Sequence, residues 1–90
     1  MTQDFERLVT GNRLRDGVPV YFTVRRDWSP SIDEASLVSE TGGETLLAAA
    51  QAGQAPLPVV ALYLVEAVRE SGHVRPTSLR ERIRAFGPSV

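Results

Sequence analysis

The stretch from Asn12 to Val24, NRLRDGVPVYFTV, constrains this chain most, because it reads as a β-hairpin folded about Arg15, Asp16 and Gly17. A type I turn closed by Gly17 in a left-handed conformation makes those residues the loop. That register sets Leu14 opposite Val18, Asn12 opposite Val20, Thr10 opposite Phe22 and Leu8 opposite Val24. One face then collects Leu8, Leu14, Val18, Val20, Phe22 and Val24. The other carries Val9, Arg13, Pro19, Tyr21 and Thr23 and suits solvent. A tighter Asp16-Gly17 turn would pair Leu14 with Pro19 and set Arg13 against Val20, so matching the apolar faces selects the longer loop. The rest of the chain is then expected to cover the ribbon's apolar face.

Pro19 cannot donate to a ladder, which makes the second strand an edge or solvent-facing there. Beyond the hairpin, Pro30 restricts Ser29 and stops any ladder. Trp28 is expected over the open end of the core with its indole N–H near the rim. Ile32-Asp33-Glu34-Ala35 suits one short helical turn, and Ser36-Leu37-Val38-Ser39 a short third strand. Thr41 and Glu44 have the spacing of a capping box for an alanine-rich helix whose face is Leu46, Leu47, Ala50 and Gln54. The paired glycines Gly42 and Gly43 weaken its first turn, so Glu44 is an alternative start. Gly53, Pro56 and Pro58 end it.

Pro58 to Arg69 is the most apolar stretch, and both of its alternating sets are largely apolar. It reads as a central strand covered on both faces, with a helix as the alternative. The prolines ahead, the β-branched content and Ser71-Gly72 behind favour the strand. The last element, SLRERIRAF, is the clearest helix. Ser78 and Glu81 form a second capping box, Leu79, Ile83 and Phe86 make an apolar stripe for docking on the sheet, and Gly87-Pro88 stops it.

Ninety residues make one domain with a modest core. At this size only about 60% of the unfolded surface is buried, so a partner or a second copy of the chain would help stability. There is no cysteine, which excludes disulfides, thiolate metal sites and a thiol nucleophile. No apolar run approaches the roughly 20 residues of a membrane span. The start, MTQDFERLV, has acids where a signal peptide needs basic and then apolar residues, so a cytoplasmic protein is expected. Residues 1–6 are expected to be disordered or frayed and 7–90 to form the domain.

The net charge of −1 gives no global attraction for nucleic acid. All ten basic residues are arginines, whose planar fork suits carboxylates, phosphates and sulfur oxyanions. Arg80, Arg82 and Arg84 on the last helix, with Arg13 and Arg15 at the hairpin tip, are the candidate binding patch. Solubility and the helix dipole account for Arg82 and Arg84 without a ligand. Tyr21 and Trp28 are the candidate interface residues, although core packing and rim exposure account for Trp28 equally well. His73, the single histidine, has no cysteine or second histidine beside it, so no metal site is assigned. Catalysis by Asp33, Glu34 or His73 would require a concave pocket around them, and no catalytic residues are assigned. No cofactor is implied.

The NRLRDG-VPVYFT segment, the Trp28-led turn and the terminal LRERIRAFGPSV together resemble a small bacterial family catalogued as a domain of unknown function. The resemblance runs from about Val9 to Val90. Its members are encoded beside sulfite reductase and other sulfate-assimilation genes. The resemblance therefore implies an accessory role in assimilatory sulfite reduction and cysteine biosynthesis, with sulfite reductase or another sulfate-assimilation protein as partner. Without cysteines the chain cannot hold the iron–sulfur cluster and sirohaem of the reductase itself. The expected fold is α+β, a small, mainly antiparallel sheet of three to four strands led by the hairpin, with two helices on one face. The expected function is a non-enzymatic adaptor acting through protein–protein contacts, with a small-anion binding or sensing module on the clustered arginines as the alternative. A membrane is not an expected partner.

Overall fold

A computed structural model describes residues 5–52 and 58–87. The elements run β1 (Glu6–Arg13), β2 (Pro19–Phe22), β3 (Trp28–Ser29), a 3-10 turn (Ile32–Glu34), a second 3-10 turn (Glu40–Gly42), α1 (Gly43–Ala52), β4 (Val59–Glu70), β5 (His73–Pro76) and α2 (Leu79–Phe86). All five strands form one antiparallel sheet in the order β3-β2-β1-β4-β5, curled into a half-barrel. The fold is α+β as expected. The expected strand over 58–69 is present and central, lying between β1 and β5. Of the expected frayed segment, residues 1–4 lie outside the described residues, whereas Glu6 already pairs with Ala67.

The hairpin forms, but its register differs by one residue from the expected one. Thr10 lies opposite Tyr21, Gly11 opposite Val20 and Asn12 opposite Pro19. The loop runs from Leu14 to Gly17. The Arg13 N–H donates to the Val18 carbonyl at 2.9 Å, and the Gly17 N–H donates to the Arg13 carbonyl at 2.7 Å. Gly17 takes the expected left-handed conformation, with φ of 73°. Side chains fix this register. The Asp16 carboxylate accepts from the Val18 N–H at 3.1 Å and grips Arg13 through Nε and Nη2 at 3.1 and 3.0 Å.

One residue of shift exchanges the faces of one strand against the other. Leu8 and Tyr21 share a core with Ile32, Ala35, Val65, Ala67 and Val74. Val9 and Phe22 share a second core with Ala50, Leu46, Leu47, Leu62 and Leu64. The hairpin is therefore buried on both faces, and Val9, Tyr21 and Thr23 are not solvent-facing. Leu14 and Val24, expected inside, are 60% and 79% exposed. Matching apolar faces could not select the register, because the ribbon has no single apolar face.

The two cores place the helices on opposite sides of the sheet, not on one. Leu46, Leu47 and Ala50 of α1 pack on the Val9 side, and Ala85 of α2 packs on the Leu8 side. At the start of α1, a Cβ on Gly43 would stand 3.2 Å from Leu64 Cδ1, so the glycine that weakens the first turn also lets the helix sit close. A 3-10 turn holding Thr41 precedes α1 in place of a clean capping box. Gln54, Gly53 and Pro56 lie outside the described residues.

The expected strand at Ser36–Ser39 is absent. A single bridge occurs there, Arg7 to Val38, and another, Thr23 to Ala35, just before it. Trp28 and Ser29 make the short strand instead, and Pro30 ends it. Their partners are Phe22 and Tyr21, so among the described residues Pro19 has no strand partner on that side. The expected turn at Ile32–Glu34 is present. Strand β5 brings the sheet to five strands rather than the expected three to four. It follows a two-residue loop, Ser71-Gly72, in which both residues have positive φ, 51° and 81°. That is the mirror-image turn that suits the twist of a hairpin, and Ser-Gly after an apolar run was its signal.

Candidate functional site

The C-terminal helix begins as its sequence directs. The Ser78 hydroxyl accepts from the Glu81 N–H at 3.2 Å, the N-cap half of the capping box. The other half is missing because the Glu81 side chain turns to the sheet. Its carboxylate accepts from the Tyr63 hydroxyl at 2.6 Å and from Arg84 Nη1 at 3.0 Å. Arg84 Nη1 also donates to the Tyr63 hydroxyl at 2.8 Å and Thr10 Oγ1 at 3.3 Å, and its Nη2 to Asn12 Oδ1 at 2.7 Å. The Arg84 guanidinium lies 5.5 Å from the Tyr63 ring centroid, a cation–π distance. Burial, with the hydrogen bond to Glu81, pushes the Tyr63 hydroxyl up to about 12, so this group is a neutral donor at physiological pH.

The helix is therefore turned the opposite way from its apolar stripe. Leu79, Ile83 and Phe86 are 67%, 42% and 47% exposed, while Glu81 is buried. With a residue every 100° or so, the network side centres on Glu81, Arg84 and Ala85 and the apolar ridge points to solvent. Arg80 and Arg82 flank that ridge, one on each side. The expectation that the stripe docks on the sheet is overturned, because the sheet presents Thr10, Asn12 and Tyr63 where the helix lands. Those polar groups need partners that Leu79 and Ile83 cannot supply.

Beside α2 an open groove of about 440 Å³ is lined by Asp33, Glu70, Ser71, His73, Val74, Arg75, Arg82 and Phe86. Asp33 and His73, forty residues apart, meet here: His73 Nδ1 stands 3.0 Å from Asp33 Oδ2, and Asp33 Oδ1 accepts from the Val74 N–H at 2.9 Å. The concave surroundings required for a catalytic reading of Asp33 and His73 are present. Among the described residues, however, the hydrogen-bond partner of the imidazole is Asp33, and Ser71 is not bonded to it. Glu34 turns away, its Oε1 bonded to the Ser29 hydroxyl. The aspartate also ties the turn after β3 to the outer edge of β5, linking the two ends of the curled sheet. Among the described residues no three His, Cys, Asp or Glu side chains gather as a metal site.

The Asp33 tie has a pH signature. The Val74 N–H and then His73 hold the Asp33 carboxyl below its ordinary value of 3.8. A group lowered on folding stabilises the fold fully above the unfolded value, and that contribution disappears as pH falls through the folded value. An Asp33→Asn variant is thus expected to be less stable than the parent at pH 7, with the gap closing below about pH 4. A gap in urea midpoint that stays constant down to pH 2.5 or so would show that the carboxylate is not what ties β5.

The arginines of the sequence-derived patch are only partly brought together. Arg84 reaches β1 at Asn12, next to Arg13, so helix and hairpin do meet. Yet Arg84 is matched by Glu81 and Arg13 by Asp16. Arg82 Nε donates to the Pro76 carbonyl at 3.0 Å, and Arg15 and Arg80 are exposed. Tyr21 is 2% exposed and belongs to the core, so it is no surface anchor. Burial raises its hydroxyl, opposed by the nearby Arg84 charge. Trp28 is half-buried and packs on Phe22 with ring centroids 5.3 Å apart. Its Nε1 is buried without a hydrogen-bond partner among the described residues, rather than lying at the rim. Composition carried no signal for the Asp33–His73 meeting, which depends on sheet curvature.

A family model described as "Protein of unknown function (DUF2849)" matches residues 7–90, and the chain belongs to that family. The match covers nearly the whole chain, including all of the resemblance seen in the two end motifs, and carries no statement about neighbouring genes. No curated protein and no solved structure matches the chain. Among the described residues no helix is long and apolar enough to cross a membrane.

Proposed function

We propose that this member of the DUF2849 family is a non-catalytic adaptor that docks on another protein through the outer face of α2 and the hairpin tip. The observation that carries this reading is the outward ridge of Leu79, Ile83 and Phe86. The helix is only eight residues long, too short to hold its shape by local bonds alone. Its inner face is committed to the Tyr63–Glu81–Arg84 network, so the ridge cannot also serve the core. Contiguous apolar surface rimmed by polar groups is the usual mark of a contact site. Leu14 is a separate exposed apolar side chain at the hairpin tip, two residues beyond the Asn12 that Arg84 grips.

The gene neighbourhood implied by the two end motifs makes assimilatory sulfite reductase the first partner to test. The small-anion module is the weaker reading, because the charges of Arg13 and Arg84 are already matched internally. Purified sulfite reductase is expected to be retained by the immobilised chain and released by Ile83→Asp. Absence of retention, together with unchanged reductase activity when the chain is deleted, would remove this partner. Stabilisation by sulfite, sulfate or phosphate in a thermal-shift assay would instead favour the anion module.

A further inference from the structure

Resting on the docking reading, we infer that the partner presents a short amphipathic segment with carboxylates flanking its apolar side chains, laid along α2 and into the adjoining groove. Charge decides this. The one acid within α2, Glu81, faces the sheet, so the outer face of the helix carries Arg80 and Arg82 and no compensating carboxylate. In the groove Glu70 is paired with Arg75 at 3.0 Å, and the Asp33 carboxylate is held by the Val74 N–H and hydrogen-bonded to His73. Arg82 lines the same groove and uses Nε on the Pro76 carbonyl, and its terminal amines bond none of the described residues, so they can meet an incoming anion. Phe86 belongs to both ridge and groove, so the two make one continuous apolar track with guanidinium groups on its borders. Arginine's fork pairs bidentately with carboxylates, the anions that a peptide's own side chains supply.

Two other occupants fit less well. A second copy of this chain would bring Arg80 and Arg82 against the same pair of cations, a repulsive juxtaposition. An anionic bilayer presents a flat surface, whereas a groove suits an inserted segment.

The test uses the full chain to select peptides of about 12 residues from a random display library, followed by fluorescence anisotropy on the synthesised winners. Enriched sequences are expected to combine large apolar residues with Asp or Glu. Binding should weaken about tenfold or more with Ile83→Asp and about tenfold with Arg80→Glu. It should also fall as NaCl rises from about 50 to about 500 mM. Both residues are exposed, so melting temperatures of the variants should match the parent and show that folding is intact. Binding that is lost in Ile83→Asp but indifferent to Arg80→Glu and to salt would overturn the acidic partner while leaving the docking reading in place. Binding indifferent to both variants, or no enrichment, would overturn both. Sedimentation showing a dimer that Ile83→Asp dissolves, or flotation with phosphatidylserine vesicles that the same change abolishes, would overturn the inference in favour of that occupant.

Discussion

Replacing Arg84 with alanine is expected to destabilise the fold by about 3–5 kcal/mol, the largest single effect outside the deep core. Arg84 and Glu81 side chains are only 17% and 12% exposed, so solvent screens them little. Removing the guanidinium leaves the Glu81 carboxylate buried without its counter-charge. It also strips a donor from Asn12 and from Thr10. A charge taken from water and then left unmatched costs more than the pair contributes by forming. For a domain whose total stability is typically about 5–15 kcal/mol, this loss is enough to populate the unfolded state. Urea unfolding followed by circular dichroism measures it. The double variant Glu81→Gln/Arg84→Met is expected to lose clearly less than the sum of its single variants, because the unmatched charge is gone. A cost below about 1 kcal/mol for Arg84→Ala would mean that the network does not hold α2 in place.

Gly11→Ala is expected to cost about 2 kcal/mol, and Gly11→Val more, although both substitutions improve strand propensity. Between Thr10 and Asn12 the β1–β4 register shifts by one, with Ala61 at φ of 57°. The bulge brings β4 close to β1. A Cβ on Gly11 would stand 2.6 Å from Val59 Cγ1, 3.0 Å from the Val60 carbonyl oxygen and 3.3 Å from Leu62 Cδ1. Val59 is buried and β-branched, with little freedom to turn aside. The carbonyl oxygen belongs to the backbone and cannot move without breaking the pairing. Since β1 is the middle strand of the sheet and β4 is also interior, the strain should appear in the global unfolding midpoint rather than in local fraying. A Gly11→Ala protein as stable as the parent would show that the bulge relaxes at no cost.

Several elements of this fold were readable because each depends on neighbours in sequence, whereas the short edge strands β3 and β5 are set by the strands they pair with. The Ser78 cap and the left-handed Gly17 are local geometry, and the central strand over 58–69 follows from two apolar alternating sets between breakers. The hairpin register was not readable. Asp16 settles it through bonds to Val18 and Arg13, while the expected criterion, one apolar face, does not apply to a ribbon with a helix on each side. The same reason placed Tyr21 inside and Leu14 outside.

The stripe of Leu79, Ile83 and Phe86 was legible as amphipathicity, but its direction was not. A helical pattern states that two faces differ, and only the surface beneath decides which one lands. Here Thr10, Asn12 and Tyr63, from strands far apart in the chain, demanded hydrogen-bond partners, so Glu81 and Arg84 went inward and the apolar ridge went out. The meeting of Asp33 with His73 likewise belongs to sheet curvature, which no local spacing encodes. The sequence by itself determined the class of fold, the ends of the last helix and the residues rich in contact chemistry. The tertiary structure alone decided that Arg84 is internal and that the apolar ridge is the free surface, because satisfying buried polar groups is a long-range condition.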